Sequence, residues 1–250
     1  MKGVSFVLCY VIYDGEKIEF ELTKKRIKNI NLRVKSDGSV HVSAPMHVSQ
    51  SRVDAFVIDQ VPFIWRARLG WKKRNAQKKP PLQYVTGEEL TVLGHPVCLV
   101  VEALKGRKTP YVTFNGQDTL YLYAPINADR AAKEKAMVKY WKTLGSRVFP
   151  HWAKQVYDWF CEKGYQVPYP EIKQRAMTTR WGTCAPGRGI ITMNLKLLEG
   201  PEVYIEYVMV HEFAHFIHAN HSAAFHAVVA QFLPDWKARK QALNEYFRSR

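Results

Sequence analysis

Residues 201–221 read PEVYIEYVMVHEFAHFIHANH, and this stretch decides how the chain is read. His211 and His215 are four apart, so on a helix they stand one turn apart on a single face. Two imidazoles so placed can grip one metal ion, and Glu212 beside them can act as general base on a water there. Val203, Tyr207, Val210, Ala214 and Ile217 recur at helical spacing and give the segment an apolar face. Pro201 suits a first helical position after Gly200, and Glu202 and Glu206 suit the positive end of the helix dipole. The expected helix spans 201–219. Histidine and glutamate on a largely buried helix need partners, and a metal ion would supply one.

A third ligand is sought downstream. Asn220 is expected to adopt a left-handed conformation and stop the helix. Ser222 is expected to cap a second helix over 223–232, with Phe225, Val228, Val229 and Phe232 as its apolar stripe. His221 lies at the turn between them. Its offset of ten from His211 is that of the pattern H-E-x-x-H-x-x-G-x-x-H, although His218 stands where that pattern has glycine. His221 is therefore preferred as third ligand over Asp235, Glu245, His218 and His226. His218 and His226 read more simply as surface or supporting residues. HExxH can arise by chance, but the apolar helix, the third histidine and the second helix all argue for metal binding.

Three stretches carry a family resemblance. The first is Lys25–Val34 (KRIKNINLRV), continued by Asp37-Gly38 and Val42–Pro45. The second is Arg180–Cys184 (RWGTC), continued by Gly189–Ile191 and Met193-Asn194. The third runs from Tyr207 through His211-Glu212 to His221-Ser222 and Phe225, ending near Pro234–Lys237. Together they make the chain resemble the YgjP-like metal-dependent hydrolases, a family related to the WLM and SprT-like zinc metallopeptidases. The resemblance implies zinc at His211, His215 and His221, with Glu212 catalytic. Thr183 departs mildly from it, standing where the family more often has serine.

Composition agrees with a globular enzyme. The chain has 250 residues, 47% of them hydrophobic, enough for one large or two modest domains. Its four cysteines (Cys9, Cys98, Cys161 and Cys184) form no C-x-x-C pair, which fits a reducing compartment better than a disulfide framework. Val4–Tyr13 is apolar but carries two tyrosines, lacks a small-residue cleavage site and runs into Asp14-Gly15, so it reads as a hairpin strand. No stretch is long enough to span a membrane, and a cytoplasmic location is the simplest expectation.

The expected fold class is α+β: a β-rich N-terminal domain with a helical insertion over 1–125, then a minimal zincin-like catalytic domain over 126–250. Hairpins are expected at Asp14-Gly15, Asp37-Gly38, Gly94-His95 and Asn115-Gly116, and Ser49 or Ser51 is expected to cap a helix. Lys72–Pro81 reads as an exposed connection. From Asn127, a plausible cap, one helix should reach Leu144 and another run over 147–163. Short strands follow near 171–179 and 190–195. No internal repeat is evident in the sequence.

Chemistry follows from the ligands. Three neutral imidazoles would leave zinc its full charge and an open position, and Glu212 would carry the proton from water to the leaving amine. Arg180 and Tyr207 could stabilise an oxyanion, Trp181 could shape the wall, and Asn194 could support a ligand or a helix end. The strand after Gly189 is expected to pair with an extended peptide. Lys plus Arg number 37 against 22 Asp plus Glu, a net charge of +15. The basic runs 24–33, 66–79 and 237–250 would attract nucleic acid nonspecifically, although a plain solvated surface explains them slightly better. A zinc metallopeptidase acting on peptides or proteins is the leading reading. A nucleic-acid-associated protease, a metal-dependent phosphohydrolase of nucleotides and a noncatalytic zinc protein are the alternatives.

Overall fold

The structure is a computed structural model, and it describes residues 6–77, 80–104 and 109–248. The chain divides into two compact units, one ending at Lys79 and the other spanning Pro80–Arg248.

The first unit opens with β1 (Val7–Tyr13) and β2 (Glu16–Lys25), followed by β3 (Asn31–Val34) and β4 (Val40–Pro45). Asp14 and Gly15 both have positive φ, 49° and 78°, which matches the twist of a two-residue hairpin. The sheet order is β1-β2-β4-β3, with β2 and β4 parallel and the outer pairs antiparallel. Ile18, Phe20 and Leu22 alternate inward along β2 and bury with Val42, Val53, Val57 and Ile64. Helix α1 (Gln50–Asp59) starts at Ser49, whose side chain accepts the Arg52 amide. Helix α2 (Val61–Gln77) admits Pro62 in its first turn, where no amide is needed. The connection expected over 72–81 is therefore helical as far as Gln77. Residues such as Lys, Arg, Ala and Gln sustain a helix that polarity alone reads as loop.

The second unit repeats the strand plan. β5 (Glu89–Val92), β6 (His95–Ala103), β7 (Tyr111–Phe114) and β8 (Thr119–Ala124) lie in the order β5-β6-β8-β7. Again the central pair is parallel and the outer pairs are antiparallel. Two hairpins joined through parallel partners thus occur twice, although the sequence shows no repeat. Side-chain alternation and turn glycines suffice to specify this topology, so residue identities are free to differ.

The change of pattern near 125 does not mark the boundary between units. Leu99, Leu120 and Leu122 are fully buried in one core with Phe149, Phe160, Met209 and Phe213, so the second sheet belongs with the helices. Helix α3 (Arg130–Glu162) is one continuous helix of 33 residues where two were expected. Asp129, not Asn127, caps it by accepting the Ala132 amide at 2.7 Å. It passes through Gly145 and Pro150 because its buried face, from Ala136 through Leu144 and Phe149 to Phe160, is apolar along its length. A Cβ at Gly145 would collide with Gln174, so the glycine permits close packing here rather than a break.

A third sheet has the order β10-β11-β9, from β9 (Glu171–Arg175), β10 (Gly182–Ala185) and β11 (Ile190–Asn194). The last helices are α4 (Glu202–Ala214), α5 (Ala223–Phe232) and α6 (Trp236–Arg248). No helix among the described residues is long and apolar enough to cross a membrane.

Candidate active site

Helix α4 is buried on nearly all sides. Ile205, Met209, Val210, Phe213 and Ala214 have no exposed surface. Burying a side chain such as Phe213 contributes about 2 kcal/mol, so the histidines ride on a firmly held element. The helix ends at Ala214, earlier than Ala219, with His215 as its C-cap, and continues as a turn. Asn220 does not supply the stop, since the non-glycine residues with positive φ among those described are Asp14, Tyr84 and Leu93. The chain instead folds back through the His218 amide, which bonds the Ala214 carbonyl at 3.0 Å. The early stop brings His221 back to the helix face that carries His211.

The ligand nitrogens of His211, His215 and His221 all lie within 4.8 Å of one another. His221 Nε2 is 2.9 Å from His211 Nε2. His215 Nδ1 lies 3.2 Å from the His218 carbonyl. A carbonyl can only accept, so Nδ1 carries the proton and Nε2 is left free for a metal. Phe225, fully buried on α5, packs against all three rings at centroid distances of 4.9, 4.6 and 4.9 Å. Ser222 anchors that contact, because its hydroxyl accepts the Phe225 amide at 3.2 Å and caps α5. Burial, reinforced by His215 and His221, pushes His211 down to about 3. Burial also lowers His215. Imidazoles converging from three positions are a donor set that zinc accepts, and burial favours the neutral form of His211 and His215 that ligation requires, so these residues fit the ion.

The other candidate ligands are otherwise engaged. Asp235 pairs with Arg239 at 2.9 Å, and Glu245 accepts from Gln241 at 2.9 Å. His226 stacks flat on Trp236 at 4.5 Å. His218 supports the site through its backbone carbonyl.

Glu212 points into the same cleft, of about 590 Å³, and is 5% exposed. Burial raises its carboxyl to about 8, opposed by the charge of Arg180 and the backbone amide of Cys184. That amide ties α4 to β10. Burial and Glu212 push the Tyr207 phenol and the Cys184 thiol each to about 12. Tyr207 thus presents an O–H donor one turn before His211, and Cys184 is not grouped with the three converging histidines.

Gly182 has a steric role. A Cβ there would lie 2.6 Å from Glu212 Oε1, 2.8 Å from its Cγ and 2.9 Å from Val208 Cγ1. Only glycine lets β10 approach the carboxylate this closely. Gly182→Ala is expected to cost about 1–3 kcal/mol of stability by overpacking and to displace Glu212. Any reaction that depends on the Glu212 carboxylate should fall about a hundredfold, since a misplacement near 1 Å costs that much. Parallel metal analysis and rate measurements check this, and a fully active variant would show that the contact is not needed.

The remaining sequence candidates divide. Arg180, Trp181 and Tyr207 line the cleft. Trp181 is held there by its indole N–H on Asn244 at 3.2 Å and by Phe247 at 4.6 Å. Asn194 does not line it. Its buried carboxamide donates to the Met177 and Arg180 carbonyls at 2.9 and 2.8 Å and accepts the Lys196 amide at 3.1 Å. It holds the 177–180 loop in place, as a buried amide must when its groups need partners. The strand after Gly189 is also misplaced as a substrate partner. β11 is central, paired on both sides, and β10 is the edge strand beside the cleft. The sequence gives no strand signal for β10, because a four-residue segment with glycine and no apolar alternation reads as loop. Lys240, Leu243 and Asn244 of α6 also line the cleft, and no motif spacing marks them.

A model of the YgjP-like metallopeptidase domain matches residues 28–246. No curated protein matches the chain. Similar solved structures include the crystal structure of the metallopeptidase zymogen of Pyrococcus abyssi abylysin. It is 23% identical, with 40% of this chain and 92% of that chain covered and a TM-score of 0.33. That likeness is too low to carry an argument, whereas the family match spans most of the chain, including the HExxH helix, the edge strand and the turn to His221. This chain belongs to the YgjP-like metallopeptidase family.

Proposed function

We propose that the protein is a zinc-dependent peptidase in which His211, His215 and His221 hold the metal and Glu212 is the general base. The observation that carries this is the convergence of three imidazole nitrogens within 4.8 Å in the cleft that also receives a buried glutamate. Bound there, zinc would acidify water, polarise a carbonyl and favour the ionised form of Glu212.

The chain's own groups supply the rest. The Glu212 carboxylate takes a proton from water in the cleft and returns it to the leaving amine nitrogen. A carboxyl raised by burial is matched to both halves of that transfer near neutral pH. Tyr207 offers its O–H, and Arg180 its charge, to the oxygen that becomes negative when the carbonyl is attacked. An extended peptide would add to the unpaired edge of β10, running its backbone past Glu212. Trp181 forms an apolar wall for a side chain.

The test is hydrolysis of casein and of short peptides, with nucleoside triphosphates as the competing substrate class. Zinc-loaded protein should cleave the peptides, lose that activity on chelation and regain it with added zinc. Hydrolysis of the triphosphates alone would defeat the peptidase reading.

A further inference from the structure

The cleft carries a charge pattern that hydrolysis of a peptide bond does not require. Among the described residues Glu212 is its one acidic lining residue, while Arg180 and Lys240 line it from different segments. Neither cation has a carboxylate within ion-pair distance among the described residues. Their fields reach the catalytic groups, Arg180 acting on Glu212 and Lys240 on His211. Asn244 stands one turn after Lys240 on the same face of α6. Its carboxamide oxygen accepts the Trp181 indole N–H, which orients the group and leaves its NH₂ to donate to a ligand. The cleft therefore presents an ammonium, an amide donor and a guanidinium, all donors, beside the three histidines.

We propose that Lys240 and Asn244, with Arg180, form a carboxylate-recognising subsite that makes the enzyme selective for peptides bearing a carboxylate next to the scissile bond. This rests on the peptidase reading above and names its substrate class. The carboxylate comes either from an Asp or Glu side chain or from the substrate's own C-terminus. Both present two acceptor oxygens to the donors that line the cleft, and hydrogen bonds to an ionised group are the stronger kind. A lysine substrate residue would instead meet like charge in a partly enclosed site.

The test is equilibrium binding of three matched peptides to zinc-loaded Glu212→Gln protein, which cannot turn them over. One peptide is neutral and C-terminally amidated, one is amidated with an internal Asp or Glu, and one is neutral with a free C-terminus. At least one acid-bearing peptide should bind about tenfold more tightly than the neutral amide, the scale of one charge-assisted hydrogen bond. The acid-bearing peptide that gains identifies the source. Lys240→Glu should reverse the preference and Lys240→Gln should remove it. Lys240 is exposed, so an unchanged melting temperature will show that both variants fold. Equal binding of all three peptides, no binding of the acids, or a preference that survives both substitutions would overturn the proposal. Separately, native zinc-loaded protein is assayed for cleavage of the same peptides. A preference in binding with no cleavage of any peptide would leave the subsite standing and defeat the peptidase reading.

Discussion

Zinc-loaded Glu212→Gln is expected to hydrolyse peptides about 10³-fold more slowly than the native protein, within the range for a lost general base. It should retain its full metal content, because Glu212 is not among the three converging ligands. The substitution keeps the shape of the side chain and its acceptor for the Cys184 amide while removing the group that can carry a proton. Glu212 is surrounded by Gly182, Val208, Tyr207 and Cys184, and among the described residues the cleft holds no second carboxylate to take its place. Rates measured at saturating peptide should fall while KM changes little, since the loss lies in the chemical step. Near-native turnover with zinc in place would remove Glu212 as general base and force the proton transfer onto another group.

The ligand-bearing helix was legible because its chemistry and its periodicity agree. His211 and His215, two of the three histidines proposed to hold the metal, sit at the end of a helix whose apolar positions recur at threes and fours. The hairpins were legible through their turn dipeptides, and α5 through Ser222, a cap with an apolar stripe behind it. What escaped the sequence is mostly what packing decides. Gly145 and Pro150 look like a break, yet the buried stripe of α3 runs straight through them. β10 has no strand pattern, because its role is to lie against α4 through Gly182 and pair with β11. The end of α4 was placed five residues late, because the backbone bonds of the turn that follows it leave no mark on residue type. The walls contributed by α6 were invisible for a similar reason. Lys240 and Asn244 lie far along the chain from the motif and share no spacing with it. Asn194 does support a helix end, as expected, capping the short helix over Leu195–Glu199, while the rest of its amide staples the 177–180 loop.

His221→Ala is expected to weaken zinc binding by more than a hundredfold. Loss of a group that merely orients a ligand costs 10–100-fold, and a direct ligand must cost more. Its partner in the contrast is His218→Ala. The part of His218 that touches the site is its carbonyl, which fixes the His215 ring, so removing its side chain should leave zinc affinity within a few-fold of native. The two histidines stand three apart in the same turn, so a general disturbance of the loop would affect both variants alike. Metal analysis after dialysis against a graded chelator separates the cases. Strong loss in His221→Ala with retention in His218→Ala means that the metal reads the specific nitrogen 2.9 Å from His211 Nε2. Full zinc in His221→Ala would need another donor. Asp235 would first have to leave Arg239, and His226 its stack on Trp236, so the three-histidine centre would then be wrong as described. Both variants should fold, because His221 is exposed and the core beneath the rings is held by Phe225.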